Sequence, residues 1–195
     1  SVGKPMPGVE IELAEDGEIK AKGANVFSGA YKNCEATAET CDGDGWFLTG
    51  DLGQGTDRGF LTIKGRKKEI IVTSGGKNIG PAGIEAMFVG QPLVEHVALY
   101  GDEHKYLVAL ITLNELVAGA LAKKLEVQGA THADLVRHPA VVERVQQIVD
   151  EVNSGLASYE TIKKFHLHPG HLSVEAGHVT PSLKLRRAQV WKDFR

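Results

Sequence analysis

Short alternations of apolar and polar residues dominate the first third of the chain. The segments VEIEL (9–13) and GEIKAKG (17–23) alternate or half-alternate. The apolar segments GWFLTGD (45–51) and GFLTIKG (59–65) are bounded by glycines. Alternation with a period of two residues puts successive side chains on opposite faces of a strand. The pattern therefore predicts a β-rich first segment.

Four further strands are indicated after this segment. They are KEIIVT (68–73), the apolar runs LVEHVALYG (93–101) and KYLVALITL (105–113), and TIKKFHLH (161–168). The polar turn GDEHK joins the two apolar runs, which predicts a hairpin or a small mixed sheet.

Segments whose apolar residues have helical spacing lie between and after these strands. Pro81 opens a helix with Ile84, Met87 and Phe88 on one face, and Asn114 can cap a second helix, ELVAGALAKKL. Pro139 opens a third helix, and a short basic helix follows from about Lys184. The third helix carries an apolar stripe that predicts burial against a core, formed by Val142, Val145, Ile148, Val149 and Val152. The second part of the chain is therefore predicted to be α+β, a three-stranded antiparallel or mixed sheet flanked by helices.

Composition narrows the classes of function. A chain of 195 residues can form one sizeable core or two small ones. The net charge of −3 argues against nucleic-acid binding, and no apolar run is long enough to span a bilayer, so any membrane contact is expected to be peripheral. Cys34 and Cys41 have no metal-ligand companions, which favours a reducing, cytoplasmic location. Peripheral membrane contact would then be with the inner face of the membrane. The sequence begins without Met in a strand pattern, and we expect a piece of a longer protein.

Four stretches carry candidate chemistry, and each also has an ordinary structural interpretation. Asp51 in LTGDLG can accept hydrogen bonds from vicinal hydroxyls, or it can be a turn residue. Arg66 in IKGRKKEII offers a planar fork to phosphate or ribose, or it lies on a solvated strand end. Gly75 and Gly76 in TSGGKNIGP allow a ligand to approach the backbone, or they simply form a turn. Lys184 after Pro181 can extend its ammonium into a cleft, or it can be an ordinary surface lysine, as Arg186 and Arg187 are expected to be ordinary charges.

A histidine-rich stretch, HLHPGH, lies near the end of the chain. His166, His168 and His171 are close in sequence, with His178 nearby, but no Cys or carboxylate except the distant Glu175 completes a ligand set. We interpret the group as an exposed polar strand end and predict no metal site.

Together these stretches resemble one family in order and context. GWFLTGD, GFLTIKGRKKEIIVTSGGKNIGPAGIE and TPSLKLRR are similar to the later motifs of the adenylate-forming enzymes, in particular the long-chain fatty-acid–CoA ligases (fatty-acyl-CoA synthetases). SVGKPMPGVEIEL and AKGANVFSGAYKNCEATAET resemble further segments of the same family, so the resemblance spans nearly the whole chain.

The resemblance implies a division of the chain and a reaction. Residues 1–66 correspond to the β-rich C-terminal tail of the family's large adenylate-forming domain. Residues 67–195 correspond to the family's small, mobile C-terminal α+β domain. In this family a fatty acid attacks the α-phosphate of ATP, bound with Mg²⁺, to give acyl-AMP, and CoA then displaces AMP. Fatty acid, ATP and CoA are the implied small-molecule partners, the N-terminal domain of the same polypeptide is the implied protein partner, and no nucleic acid is implied.

The matched motifs imply roles for individual residues. Asp51 would hold the ribose hydroxyls of ATP with support from Arg66, and Lys68 falls at the hinge on which the small domain swings. Lys184 matches the lysine that stabilises charge during adenylation. The remaining matched residues, implied to line the CoA tunnel, are Ser74, Gly75 and Gly76.

The sequence also departs from the family pattern. The phosphate loop, the acyl pocket and the adenine pocket are absent, so we expect this chain alone to be inactive. SLK replaces the commoner SGK before Lys184, and a long insertion at 113–156 favours the long-chain branch. Two alternatives stay open: a non-catalytic binding module that uses the basic segment Lys64 to Lys77, and a ligase of this family whose acceptor is a carrier protein.

Overall fold

The chain forms two compact units. A computed structural model describes residues 1–124 and 131–194, and the chain divides into Ser1–Ile70 and Ile71–Arg195. The sequence-based division lay at residues 66/67, and the assignment of the first unit to the tail of a larger domain stays a prediction.

The first unit is an antiparallel sheet of four strands that lie side by side in sequence order. Its strands are Val9–Leu13 (β1), Glu18–Gly23 (β2), Phe47–Gly55 (β3) and Leu61–Arg66 (β4). All four fall on segments with predicted strand patterns. A helix that the pattern did not predict, α1 (Cys34–Thr40), precedes β3, and the Asn33 side chain caps it by accepting a hydrogen bond from the backbone of Ala36 at 3.0 Å.

The predicted strand KEIIVT is mostly not a strand. Lys67–Glu69 form a 3₁₀ turn, and only Ile71–Val72 (β5) pair, with Asn78–Ile79 (β6), across a tight loop. The physical reason is the basic run itself, since residues 67–69 are all exposed and give a strand no apolar face to bury.

The second unit contains the predicted three-stranded mixed sheet. β7 (Val94–Tyr100) and β8 (Leu107–Leu113) form an antiparallel hairpin, and β9 (Ile162–Leu167) pairs parallel to β8. The order is β7-β8-β9, so β7 lies at a free edge.

Side-chain alternation along β7 and β8 gives the sheet a core on each face. Val97, Leu99 and Ile111 belong to a large apolar cluster, whereas Ala98 and Leu110 belong to a smaller cluster on the other face. The large cluster is shared with the helices Pro81–Ala86 (α2), Glu115–Lys124 (α3) and Pro139–Ser154 (α5). The smaller cluster is completed by side chains near the end of the chain, namely Leu172, Val179, Leu185, Val190, Trp191 and Phe194.

The helices of the second unit are α2 (Pro81–Ala86), α3 (Glu115–Lys124), α4 (His132–Leu135), α5 (Pro139–Ser154) and α6 (Arg187–Phe194). Asn114 caps α3 as predicted, by accepting a hydrogen bond from the backbone of Val117 at 3.1 Å. Leu125, the last residue of the predicted helix, lies outside the described residues. The short α4 was not predicted, and α6 begins three residues after the predicted start.

Two details of the predicted apolar faces are wrong. Val141, not Val142, belongs to the buried stripe of α5, where Val141 is fully buried and Val142 is 36% exposed. Met87 is 41% exposed, although Ile84 and Phe88 are buried as predicted. Among the described residues no helix combines the length and the apolar character needed to cross a membrane.

Candidate functional site

Asp51 and Arg66 face each other across β3 and β4. They are paired in the strand register, and Arg66 Nε lies 3.0 Å from Asp51 Oδ1. Arg66 Nη1 also donates to the carbonyl of Thr49 at 3.2 Å. Gly50 between Thr49 and Asp51 has φ of +70°, a left-handed conformation that favours glycine. The TGD segment of β3 thus presents a partly exposed carboxylate beside a guanidinium, and the nucleotide roles of Asp51 and Arg66 stay predictions.

A carboxylate that the sequence did not single out contacts this segment of β3. Glu18 is only 7% exposed; its Oε1 accepts from the backbone N–H of Gly50 at 3.0 Å, and its Oε2 accepts from Lys67 Nζ at 2.8 Å. Lys67 also forms an ion pair with Asp16. Hydrogen bonds to Asp16 and to Glu18 raise the pKa of the Lys67 ammonium above its ordinary value, and the same contact lowers the pKa of Asp16.

Lys68, the predicted hinge residue, follows directly in the 3₁₀ turn Lys67–Glu69. Its side chain is exposed, and it makes no ion pair with any residue in 1–124 or 131–194. It lies two residues before the end of the first unit, Ile70. The hinge role is not tested by this placement and stays a prediction.

The predicted tunnel residues Ser74, Gly75 and Gly76 form the exposed loop between β5 and β6. Thr73 closes the loop, since its N–H donates to the carbonyl of Lys77 at 3.0 Å and its Oγ1 accepts from the Lys77 N–H at 3.1 Å. Gly76 has φ of +71°, and a Cβ at this position would meet no atom within 4 Å. The loop surface is therefore open along its glycine backbone.

Lys184 lies at the tip of a small hairpin. The Thr180 N–H donates to the Lys184 carbonyl at 2.8 Å, the Lys184 N–H donates to Thr180 Oγ1 at 3.0 Å, and Val179 pairs with Leu185. Val179 is buried in the smaller core, which fixes the base of the hairpin. The Lys184 side chain is exposed and has no ion-pair partner among the described residues. A hairpin packed on the smaller core thus carries an exposed ammonium that is available to a ligand.

Leu183 explains how the turn forms without the glycine that is common in the family. Its φ is +59°, and its side chain is 69% exposed, so leucine occupies a left-handed position at the tip of the hairpin. A side chain in this conformation costs about 1–2 kcal/mol.

We therefore expect Leu183→Gly to raise the free energy of unfolding by up to about 1 kcal/mol, because relief of the strain exceeds the entropy that glycine adds to the unfolded chain. Urea unfolding measures the change, with Leu185→Gly as the destabilising control, since Leu185 packs on the smaller core. A Leu183→Gly protein less stable than the wild type would contradict the strain.

Arg187 was expected to be an ordinary surface charge, and this was wrong. Its guanidinium pairs with the Glu85 carboxylate, with Nε 3.2 Å from Oε1, and the two side chains are only 11% and 13% exposed. Glu85 Oε1 also accepts from the backbone N–H of Leu99 at 2.9 Å, and Trp191 Nε1 donates to the Leu99 carbonyl at 3.1 Å. The network joins α2, the free edge of β7 and α6. Separated by 102 residues, the paired charges left no local signal in the sequence.

The histidines are partly packed rather than uniformly exposed. His166 is exposed, but the His168 ring lies 4.4 Å from the Phe194 ring, and the buried His178 hydrogen-bonds Asp193 at 3.0 Å. Burial, followed by the neighbouring histidines, lowers the pKa of His168. Within the part of the chain that the structure describes, no three His, Cys, Asp or Glu side chains are grouped to hold a metal ion.

Comparison with known proteins identifies the class to which these features belong. Residues 68–195 match the family described as the AMP-binding enzyme C-terminal domain. The match covers most of the chain, and the chain belongs to this family.

Individual relatives of this chain include long-chain-fatty-acid–CoA ligases. The long-chain-fatty-acid–CoA ligase FadD15 of Mycobacterium tuberculosis is 40% identical over 195 residues, which cover 100% of this chain and 32% of the relative. The human long-chain-fatty-acid–CoA ligase 6 is 33% identical over 210 residues, covering 100% of this chain and 30% of the relative. This chain therefore spans about a third of the length of these curated relatives.

Solved structures share the fold. The o-succinylbenzoate CoA synthetase MenE of Bacillus subtilis, in complex with the acyl-adenylate intermediate OSB-AMP, is similar with a TM-score of 0.69 and 27% identity, over 99% of this chain and 35% of that one. The adenylation domain of a carboxylate reductase from Mycobacterium chelonae has a TM-score of 0.75 at 24% identity, over 98% of this chain and 30% of that one. The α+β fold and the mixed three-stranded sheet are confirmed as those of adenylate-forming enzymes.

Proposed function

We propose that this chain is the C-terminal part of a fatty-acid–CoA ligase, which activates a carboxylic acid with ATP as acyl-AMP and transfers the acyl group to CoA. The observation that carries the proposal is the exposed Lys184 ammonium on a hairpin packed against the smaller core, in a domain of the AMP-binding enzyme family. The 40% identity to a long-chain-fatty-acid–CoA ligase supports a fatty acid as the substrate.

In the first step Lys184 would stabilise developing charge. The carboxylate and the α-phosphate are both negative, and negative charge grows on the phosphate oxygens as the new bond forms. A preorganised cation between them lowers the transition-state energy more than it lowers the ground-state energy. Lys184 would therefore orient the reactants and stabilise the transition state, and it would not act as a base.

The first unit would contribute to the nucleotide site. Asp51 Oδ1 is engaged by Arg66, which orients the carboxylate, and its other oxygen can accept from ribose hydroxyls. Mg²⁺ and the triphosphate would be bound mainly by the large N-terminal domain of the ligase.

In the second step the loop of Ser74, Gly75 and Gly76 would line the path of the CoA thiol after rotation about Lys68. Gly76 has open space where a Cβ would lie, so the loop can let a pantetheine arm pass close to the backbone. Because nucleotide contact, hinge and loop follow one another within residues 51–76, a single rotation can exchange the first step for the second.

Removing the Asp51 carboxylate is expected to weaken nucleotide binding. In the complete ligase we expect Asp51→Ala to raise KM for ATP at least about tenfold, since hydrogen bonds to a charged group contribute about 1.5–3 kcal/mol. The matched control is Asp57→Ala, an exposed aspartate in the turn before β4. Equal KM values in the wild type and Asp51→Ala would remove Asp51 from the site.

The function itself is tested on the complete polypeptide that contains this chain. We expect pyrophosphate release that requires both ATP and a fatty acid, and a thioester that forms only when CoA is added. A parallel reaction with a holo carrier protein tests the alternative acceptor. If no acid supports pyrophosphate release, the ligase proposal fails and the binding-module alternative gains support.

A further inference from the structure

The carboxylate of Glu18 occupies an unusual position. It is 7% exposed, and burial of a charge is costly unless hydrogen bonds and an opposite charge compensate. Both of its oxygens are engaged, one by the Gly50 N–H and the other by Lys67 Nζ. The strand register between β2 and β3 shifts immediately after Glu18, an irregularity that re-aims a side chain. Replacing a buried ion pair by apolar side chains of similar size is often neutral or stabilising, so the carboxylate calls for an explanation beyond packing.

The groups that Glu18 joins have different proposed roles. Gly50 precedes Asp51 in the TGD segment of β3, whereas Lys67 immediately precedes the predicted hinge residue Lys68. Lys67 is also held by Asp16, whose Oδ1 accepts from the Glu18 N–H at 3.0 Å, so the ammonium lies between two anchored carboxylates. Lys68 has no such partner among the described residues. The residue before the predicted hinge is therefore held through its side chain, whereas Lys68 is not.

From these contacts, and resting on the proposed ligase function, we propose that Glu18 is a positioning residue that ties the TGD segment of β3 to Lys67, the residue before the hinge. One oxygen holds the backbone from which Asp51 projects. The other holds Lys67, so that the rotation starts at Lys68 and does not spread back into β4. The small domain would thus rotate about a point whose position relative to the bound ribose is set by Glu18.

Three substitutions in the complete ligase separate the two halves of this connection. Lys67→Met removes only the hinge half, Glu18→Gln keeps a carbonyl for Gly50 while it removes the charge, and Glu18→Ala removes both contacts. We expect Lys67→Met and Glu18→Gln to lower acyl-CoA turnover about fivefold while KM for ATP stays within twofold. Glu18→Ala is expected to lower turnover similarly and also to raise KM for ATP about fivefold. The control is Lys64→Met, an exposed lysine of β4 without an ion pair among the described residues, which should change neither parameter.

Amide hydrogen exchange of the same complete proteins gives a readout that does not depend on catalysis. We expect Glu18→Ala to speed exchange at Gly50 at least about tenfold, Glu18→Gln to leave it within threefold, and Lys67→Met to speed exchange only in residues 66–70. This pattern supports the connection even if the wild-type protein makes no acyl-AMP, an outcome that would overturn the ligase function alone. Equal exchange at Gly50 in Glu18→Ala and Glu18→Gln would overturn the proposed connection. The connection would also be overturned if KM for ATP in Lys67→Met rose by the same factor as its turnover fell.

Discussion

Lys184→Ala in the complete ligase is expected to lower the rate of adenylate formation by about 10²–10³-fold, the usual effect of removing one preorganised electrostatic group from a transition state. The reason is the exposed ammonium on a hairpin whose base is fixed by Val179 in the smaller core. Alanine leaves the hairpin intact, because the bonds that close it are made by Thr180 and by the backbone of residue 184. Pyrophosphate release at saturating ATP and fatty acid measures the effect.

The second step provides an internal control for this prediction. Lys184 would act only while the adenylate forms, so Lys184→Ala should convert added acyl-AMP and CoA to thioester at a rate within about threefold of the wild type. Arg186→Ala, which removes another exposed cation two residues away, should leave both steps within twofold. Unchanged pyrophosphate release in Lys184→Ala would refute the role given to this lysine.

The second large effect is expected on stability. Arg187→Met leaves the carboxylate of Glu85 buried at 13% exposure without its partner guanidinium, and breaking a buried pair in this way costs about 3–5 kcal/mol. Glu85 also accepts from the Leu99 backbone, so the damage extends to the sheet edge. Urea unfolding followed by the fluorescence of Trp191, in a Trp46→Phe background, reports on the α6 end of the network, since these are the two tryptophans of the chain.

Two further proteins separate the uncompensated charge from lost packing. Glu85→Gln combined with Arg187→Met removes both charges, and we expect it to be less destabilised than Arg187→Met alone. Arg186→Met changes an exposed neighbour and should lie within about 0.5 kcal/mol of the wild type. If Arg187→Met is no less stable than Arg186→Met, the pair does not hold the second unit together.

Features that depend on local pattern could be predicted from the sequence. The alternation in 9–13 and 17–23 corresponds to β1 and β2. The helix that begins at Pro81 and the Asn114 cap occur at the predicted positions. The apolar stripe of α5 was correct except at its first position, where Val141 and Val142 are adjacent and periodicity alone does not distinguish them. The prediction of a short strand at KEIIVT was mostly wrong, because its residues are strand-like but its charged start stays exposed.

Features that depend on contacts between distant residues could not be predicted. Arg187 and Glu85 are 102 residues apart, and Glu18 and Lys67 are 49 apart, so no local spacing relates either pair. The left-handed Leu183 is a third case, because sequence propensity assigns this conformation to glycine, and a hairpin closed by Thr180 imposes it on leucine. The sequence thus identified candidate ligand contacts through family motifs, whereas the side chains that hold those contacts in place emerged only from the fold.

The network around Leu99 has a consequence for how this domain behaves among other copies of itself. β7 is the end strand of its sheet, and the outward N–H and C=O of Leu99 are engaged by the Glu85 carboxylate and the Trp191 indole. The outward backbone of Leu99 is therefore already paired, which hinders a strand from a neighbouring molecule from adding at this point of the edge. The same side chains that join α2 to α6 thus also cover one residue of the sheet's end strand.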